Sequence, residues 1–222
     1  MAQLFLVRHA QASFGAEDYD NLSPIGHQQS AMLGDYLHAR DLDFDLVVTG
    51  DMRRHKQTSD GIHKAIKSKE FKVDDNWNEF DFNAIVTAFL MLHPDQKPAA
   101  TAPRSDWYRV LRSAMIAWSD GALKHYHGES WDDFTQRVKN GAQRILQSEQ
   151  KRVLVVTSGG AMAIFMMLLF NTSVENAVAL NLQIKNTSVN QFFFNENGFQ
   201  LSTFNHVPHL DLPEYSHLVT YS

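Results

Sequence analysis

Residues 4–15, LFLVRHAQASFG, run four apolar residues directly into Arg8, His9 and a tail of small and polar side chains. An apolar run of that length with polar flanks has the form of a buried strand. A charged pair at its end has two readings. It either opens a solvated loop or is delivered to a ligand at the strand's carboxyl end, and the rest of the chain decides between them.

Residues 44–49, FDLVVT, and 152–157, RVLVVT, are two further runs of strand length rich in β-branched residues. Helical patterns separate the three. In residues 23–40, SPIGHQQSAMLGDYLHAR, Ser23 suits the N-cap and Pro24 the first helical position, while Ile25, Met32, Leu33, Tyr36 and Leu37 recur on one face. DMRRHKQTSDGIHKAIKS, after the second strand, reads as another helix, with Arg53, His55 and Lys56 at its exposed start. From about residue 82 to 128 aromatic-rich helical segments broken by HPDQKPAATAP suggest a helical insertion at the mouth of a site. Its Trp107, Tyr108 and Trp118 suit core packing better than ligand stacking. GESWDDFTQRV then opens a helix that Ser130 caps, with Asp133 in the reciprocal position.

The apolar stretch AMAIFMMLLF, residues 161–170, falls short of the roughly 20 residues a membrane-spanning helix needs and reads as a buried helix. NQFFFN and FQLSTFN are expected as late strands toward a sheet edge. This order predicts an α/β protein: a three-layer α/β/α sandwich around a mostly parallel sheet, in one domain over residues 1–222.

Composition narrows the chemistry. A net charge of −5 gives no electrostatic footprint for nucleic acid or an anionic membrane. With no cysteine, neither a disulfide framework, a thiolate nucleophile nor a cysteine zinc site is available. MAQLFLV lacks the pattern of a secretory signal, so a cytoplasmic location is expected.

In a parallel sheet the carboxyl ends of the strands share one edge, where ligands bind. Here the three best strands end in RHAQAS, GDMRRHKQT and SGG. A solvated loop accounts for one polar tail; a site accounts for all three. Paired guanidinium groups match the oxygens of a phosphoryl group and keep their charge. Gly159 and Gly160, opening a helix, offer backbone N–H groups to the same anion. A histidine between them either binds phosphate as a cation or, held neutral through one ring nitrogen, attacks phosphorus with the other.

LFLVRHAQ, DMRRHKQTSD, NEFDF, GESWDDFTQRV, VLVVTSGG and NHVPHL, in this order and over most of the chain, resemble the successive signatures of the histidine phosphatase superfamily, the phosphoglycerate-mutase-like fold. The resemblance implies phosphoryl transfer through a phosphohistidine, without metal or cofactor, on a small phosphorylated substrate or a phosphoprotein. Carried over by position, His9 is the nucleophile, Arg8 and Arg54 are phosphate ligands, and Glu79 is the acid, with Asp81 as the alternative. Ser158, Gly159, Gln11, Ser13 and His209 are the expected substrate contacts. Ala10 replaces the usual glycine after the nucleophile, a change the turn accepts if φ stays negative.

The resemblance expects a histidine where this chain has Ser158, so one phosphate-binding imidazole is missing. That departure keeps two alternatives beside a phosphomonoester hydrolase. One is a phosphate- or phosphoprotein-binding protein without useful turnover; the other is a phosphatase of phosphohistidine or another phosphoprotein. Mutase action is the less favoured enzyme reading, because nothing in the chain seals the site to retain an intermediate.

Overall fold

The computed structural model describes residues 1–13 and 19–221. Phe14 and Gly15 of the opening stretch lie outside them. Strand β1 (Ala2–Arg8) leads through a polar loop to helix α1 (Pro24–His38), strand β2 (Phe44–Thr49), helix α2 (Arg53–His63) and strand β3 (Ser68–Val73). Helices α3 (Phe82–Leu92), α4 (Arg104–Ser119) and α5 (Trp131–Leu146) follow, then β4 (Arg152–Thr157) and α6 (Gly159–Phe170). Helix α7 (Val174–Asn181) and the hairpin β5 (Val189–Asn195) and β6 (Gly198–His206) complete the regular elements.

The six strands form one sheet in the order β3-β2-β4-β1-β5-β6. β3, β2, β4 and β1 are parallel neighbours, whereas β5 runs antiparallel to both β1 and β6. The α/β sandwich around a mostly parallel sheet is therefore present, with the late strands at an edge as expected. Alternation of side chains along the strands divides the core. Leu4, Leu6, Leu46, Val48, Val153 and Val155 face α3 to α7. Phe5, Val7, Val47, Leu154 and Val156 face α1 and α2. This three-layer packing leaves the carboxyl ends of β1, β2 and β4 side by side.

Local signals place most elements. Ser23 caps α1, accepting from Gly26 N–H with Pro24 just inside, and Ser130 caps α5, accepting from Asp133 N–H at 3.1 Å. The first eight residues of α6 are buried, which suits its unbroken apolar sequence. One expectation is corrected, and one on Trp118 is met. The helix after β2 ends at His63, and SKEFKV beyond it forms strand β3. β3 is paired on one side only and almost wholly exposed, so it lacks the apolar run by which its neighbours are recognised. Trp118 belongs to the core, its ring centroid 5.2 to 5.7 Å from those of Trp131, Phe80 and Phe134. No helix among the described residues is long and apolar enough to cross a membrane.

Candidate active site

Parallel pairing of β1 with β4 sets Arg8 opposite Thr157, so His9 and Ser158 leave the sheet together. His9 N–H donates to the Thr157 carbonyl at 2.7 Å. The next turn is fastened from α2, where Thr58 Oγ1 donates to the Arg54 carbonyl and accepts from Ala10 N–H at 3.0 Å. Ala10 is absent from the positive-φ residues, so its methyl group carries no strain. The His9 ring is buried, and its Nδ1 lies 2.8 Å from the Ala10 carbonyl oxygen. A carbonyl only accepts, so the ring proton sits on Nδ1 and the lone pair on Nε2. Burial, and after it the positive charges of Arg54 and Arg8, hold His9 well below the ordinary histidine range. His9 is a neutral imidazole with its lone pair on Nε2.

Arg8 and Arg54 are almost entirely buried. Arg8 Nη1 donates to the carbonyls of Ile184 and, at 2.7 Å, of Tyr221. Among the described residues its Nε has no partner, and a Cβ on Gly159 would lie 3.5 Å from Arg8 Nε and Cζ. Arg54 Nη1 is paired with Asp20 at 2.7 Å, while its Nε is likewise unpartnered. A buried N–H donor without an acceptor is costly unless an acceptor arrives. Two such donors on guanidinium groups beside His9 suit an anion.

Glu79 comes from the segment between β3 and α3. Its Oε2 accepts from Gly160 N–H at 3.0 Å and its Oε1 from Phe80 N–H at 3.2 Å, which sets the carboxyl at the start of α6. Desolvation nevertheless pushes Glu79 above the ordinary carboxyl range, against the pull of these N–H groups and of Arg54 and Arg8. Asp81 caps α3, accepting from Ala84 N–H at 2.9 Å. The Glu79 segment is tied down by Arg137 of α5. That guanidinium pairs with Glu129 through Nε at 2.5 Å and Nη2 at 2.9 Å, and donates to the Asn78 and Asn76 carbonyls at 2.7 and 3.2 Å. No local pattern announces this clamp, because its partners stand far apart in the chain.

Other expected contacts are placed differently. Gln11 Oε1 accepts from Ser23 Oγ at 2.7 Å, and Ser13 N–H donates to the Asn21 carbonyl, so both are bound up with the entry to α1. His209 is buried behind the β1 end, its Nε2 2.8 Å from Thr187 Oγ1. Thr187 holds a left-handed φ of 53° and donates its N–H to the Arg8 carbonyl. His209 thus props a strained residue that fixes the backbone of Arg8 and His9.

The start of α2 is a correction. Arg53 is exposed as expected, but His55 is completely buried, with Nε2 2.6 Å from Ser158 Oγ and its ring centroid 5.6 Å from that of His9. The physical reason is the buried face of α2, which carries Arg54, His55, Thr58, Ser59 and Ile62 at helical spacing and is mostly polar.

The model of the histidine phosphatase superfamily (branch 1) matches residues 4–207. A broad-specificity phosphatase of Saccharomyces cerevisiae, YOR283W, is 23% identical over 209 residues, covering 84% of this chain and 77% of its own. The structure of Bacillus stearothermophilus YhfR superposes with a TM-score of 0.69 at 18% identity, covering 94% of this chain and 99% of that one. The native mycobacterial glucosyl-3-phosphoglycerate phosphatase Rv2419c gives 0.62 at 21% identity, with 92% and 99% covered. The two structures share the fold, and the family match runs from the first strand to the last, through every strand-end tail described above. The chain belongs to the histidine phosphatase superfamily, branch 1.

Proposed function

We propose that this protein is a phosphomonoester hydrolase that works through a phosphohistidine on His9. The observation that carries the reading is the His9 ring, neutral and oriented by Ala10, beside two buried guanidinium groups with unpartnered Nε donors. In the first step the His9 Nε2 lone pair forms the N–P bond as the P–O ester bond breaks. The carboxyl proton of Glu79 passes to the departing alkoxide. In the second step water attacks phosphorus, the Glu79 carboxylate takes its proton, and the N–P bond breaks to release inorganic phosphate. Arg8, Arg54 and the N–H groups at the start of α6 balance the charge on the equatorial oxygens. These groups supply the positive charge the step needs, so the proposed reaction uses no metal ion.

The raised Glu79 carboxyl supports its part, since an acid must still hold a proton near neutral pH. The similarity to a broad-specificity phosphatase supports a small phosphorylated substrate or a phosphoprotein as the partner. The test is turnover of p-nitrophenyl phosphate by the native protein and by His9→Ala, with an alkaline quench to trap a base-stable, acid-labile phosphoenzyme. Loss of both turnover and label in the variant is expected. Equal turnover in the two proteins would remove His9 from the reaction.

A further inference from the structure

His55 takes no part in the reaction written above, yet it is wholly buried beside it. An imidazole buried without partners is destabilising. Here one nitrogen is spoken for, Nε2 at 2.6 Å from Ser158 Oγ, and Nδ1 has no partner among the described residues. The fold makes room for this ring. A Cβ at position 50, directly after β2, would stand 2.2 Å from His55 Nδ1, and the chain has glycine there. Ser158 itself is completely buried and caps nothing, although it precedes the first turn of α6. Among the described residues its hydroxyl therefore meets His55 alone, while its backbone lies beside that of His9.

We propose that His55 and Ser158 form a hydrogen-bond relay onto the phosphoryl group carried by His9. His55 Nε2–H donates to Ser158 Oγ, and the Ser158 hydroxyl donates its own proton to an equatorial phosphoryl oxygen. Ser158 is the contact and His55 the positioning residue. The relay rests on the phosphohistidine reading, and it puts the imidazole missing after β4 back into the site from α2.

Charge and tautomer agree with this arrangement. Burial, with the charges of Arg54 and Arg137 adding to it, holds His55 well below the ordinary histidine range, so the ring has a single N–H. With that proton on Nε2, the serine keeps its proton for the anion. The opposite tautomer would draw the serine proton back to the ring and turn an oxygen lone pair toward the phosphate. Neutral hydrogen bonds of this kind matter most where charge develops in a dry, preorganised site.

The experiment compares Ser158→Ala, His55→Ala, the double variant and the exchange His55→Ala with Ser158→His, all in the full chain, with p-nitrophenyl phosphate as substrate. Each single variant is expected to lower kcat by about 10²–10³, the worth of one preorganised donor, with KM little changed. The double variant should lose no more than either single one within about twofold, because members of one relay do not add. The exchange should recover most of the loss, which a role in packing alone would not give. If His55→Ala does not fold, His55→Leu, which fills the buried space without an N–H donor, takes its place in the comparison.

Losses that multiply in the double variant, or a Ser158→Ala protein with native kcat, overturn the relay while leaving the phosphohistidine intact. A native protein that forms no base-stable phosphoenzyme overturns both together.

Discussion

Gly160→Ala moves the carboxyl of Glu79 without touching its chemistry. The added Cβ would stand 2.1 Å from Glu79 Oε1 and 2.6 Å from Phe80 Cε1, where ordinary contact begins at 3.4 Å. Phe80 has little freedom to yield, being 3% exposed and packed against Trp118 and Phe134 with centroids 5.3 and 5.5 Å away. The carboxyl must therefore retreat by about 1.3 Å, which also breaks the 3.0 Å bond from Gly160 N–H. Overpacking costs about 1–3 kcal/mol, and alanine in a helix returns roughly 0.5–1 kcal/mol of that. A net loss of about 0–2.5 kcal/mol follows, small enough for the protein to fold.

Displacing a catalytic group by about 1 Å costs near 10² in rate. That loss should depend on the leaving group. An alkyl phosphate needs its alkoxide protonated as His9 is phosphorylated, so its kcat/KM is expected to fall about 10²-fold, within the range assigned to general acid catalysis. p-Nitrophenolate leaves well as an anion, so its kcat/KM, which excludes the later attack of water, should fall less than about tenfold when the acid is displaced. Gly159→Ala is the control. Its Cβ would meet Asn181 Oδ1 at 2.6 Å, the end of a side chain that can swing aside, and Arg8 only at 3.5 Å. Steady-state kinetics on both substrates with both variants decide the matter. Equal losses in kcat/KM on the two phosphates in a folded Gly160→Ala protein would refute the placement of Glu79 as the acid.

Two further substitutions test the supports of the site. His209 is lowered to about 3 by burial and, second, by His206, so its folded value is depressed. Its contribution to stability is present above pH 6.5 and is lost as pH falls from there toward 3. At pH 5 the loss amounts to about 2 kcal/mol. Urea unfolding at pH 7.5 and pH 5 should show a His209→Gln variant less sensitive to acid by that amount, and parallel behaviour would contradict the buried neutral ring. Arg137→Met leaves Glu129 unpaired and frees the Asn76 and Asn78 carbonyls. The pair is partly exposed, at 19% and 28%, so the expected loss is about 2–3 kcal/mol, below the range for a fully buried pair. A double-mutant cycle with Glu129→Gln that shows no coupling would sink the clamp.

The strands whose order placed the site are the ones buried on both faces; β5 and β6 were legible too, as short aromatic-rich runs. β1, β2 and β4 occupy the sheet interior and present continuous apolar runs, and their parallel order alone put Arg8, His9, Ser158 and Gly159 on one edge. β3 pairs on one side only, so its sequence answers to solvent more than to the core. Arg54 was legible through its motif, whereas the Arg137 clamp joins residues of α5 to the segment before α3 and leaves no periodic trace.

His55 was misread for a more general reason. Hydropathy treats a polar helix face as a solvated one, and RRHKQTSD offers little else to go on. Yet positions 54, 55, 58, 59 and 62 recur at the spacing of a buried stripe, with Ile62 at its far end, and all five are buried. Apolar side chains cannot form such a stripe where it faces an anion, since the ligand's oxygens require donors that stay dry until it binds. The helical period survives at such a face while the hydrophobicity disappears. Polar residues at core spacing directly after a strand end therefore mark a site more specifically than the charge of any one of them. Gly50, vacated for the His55 ring, is the independent sign that this stripe turns inward.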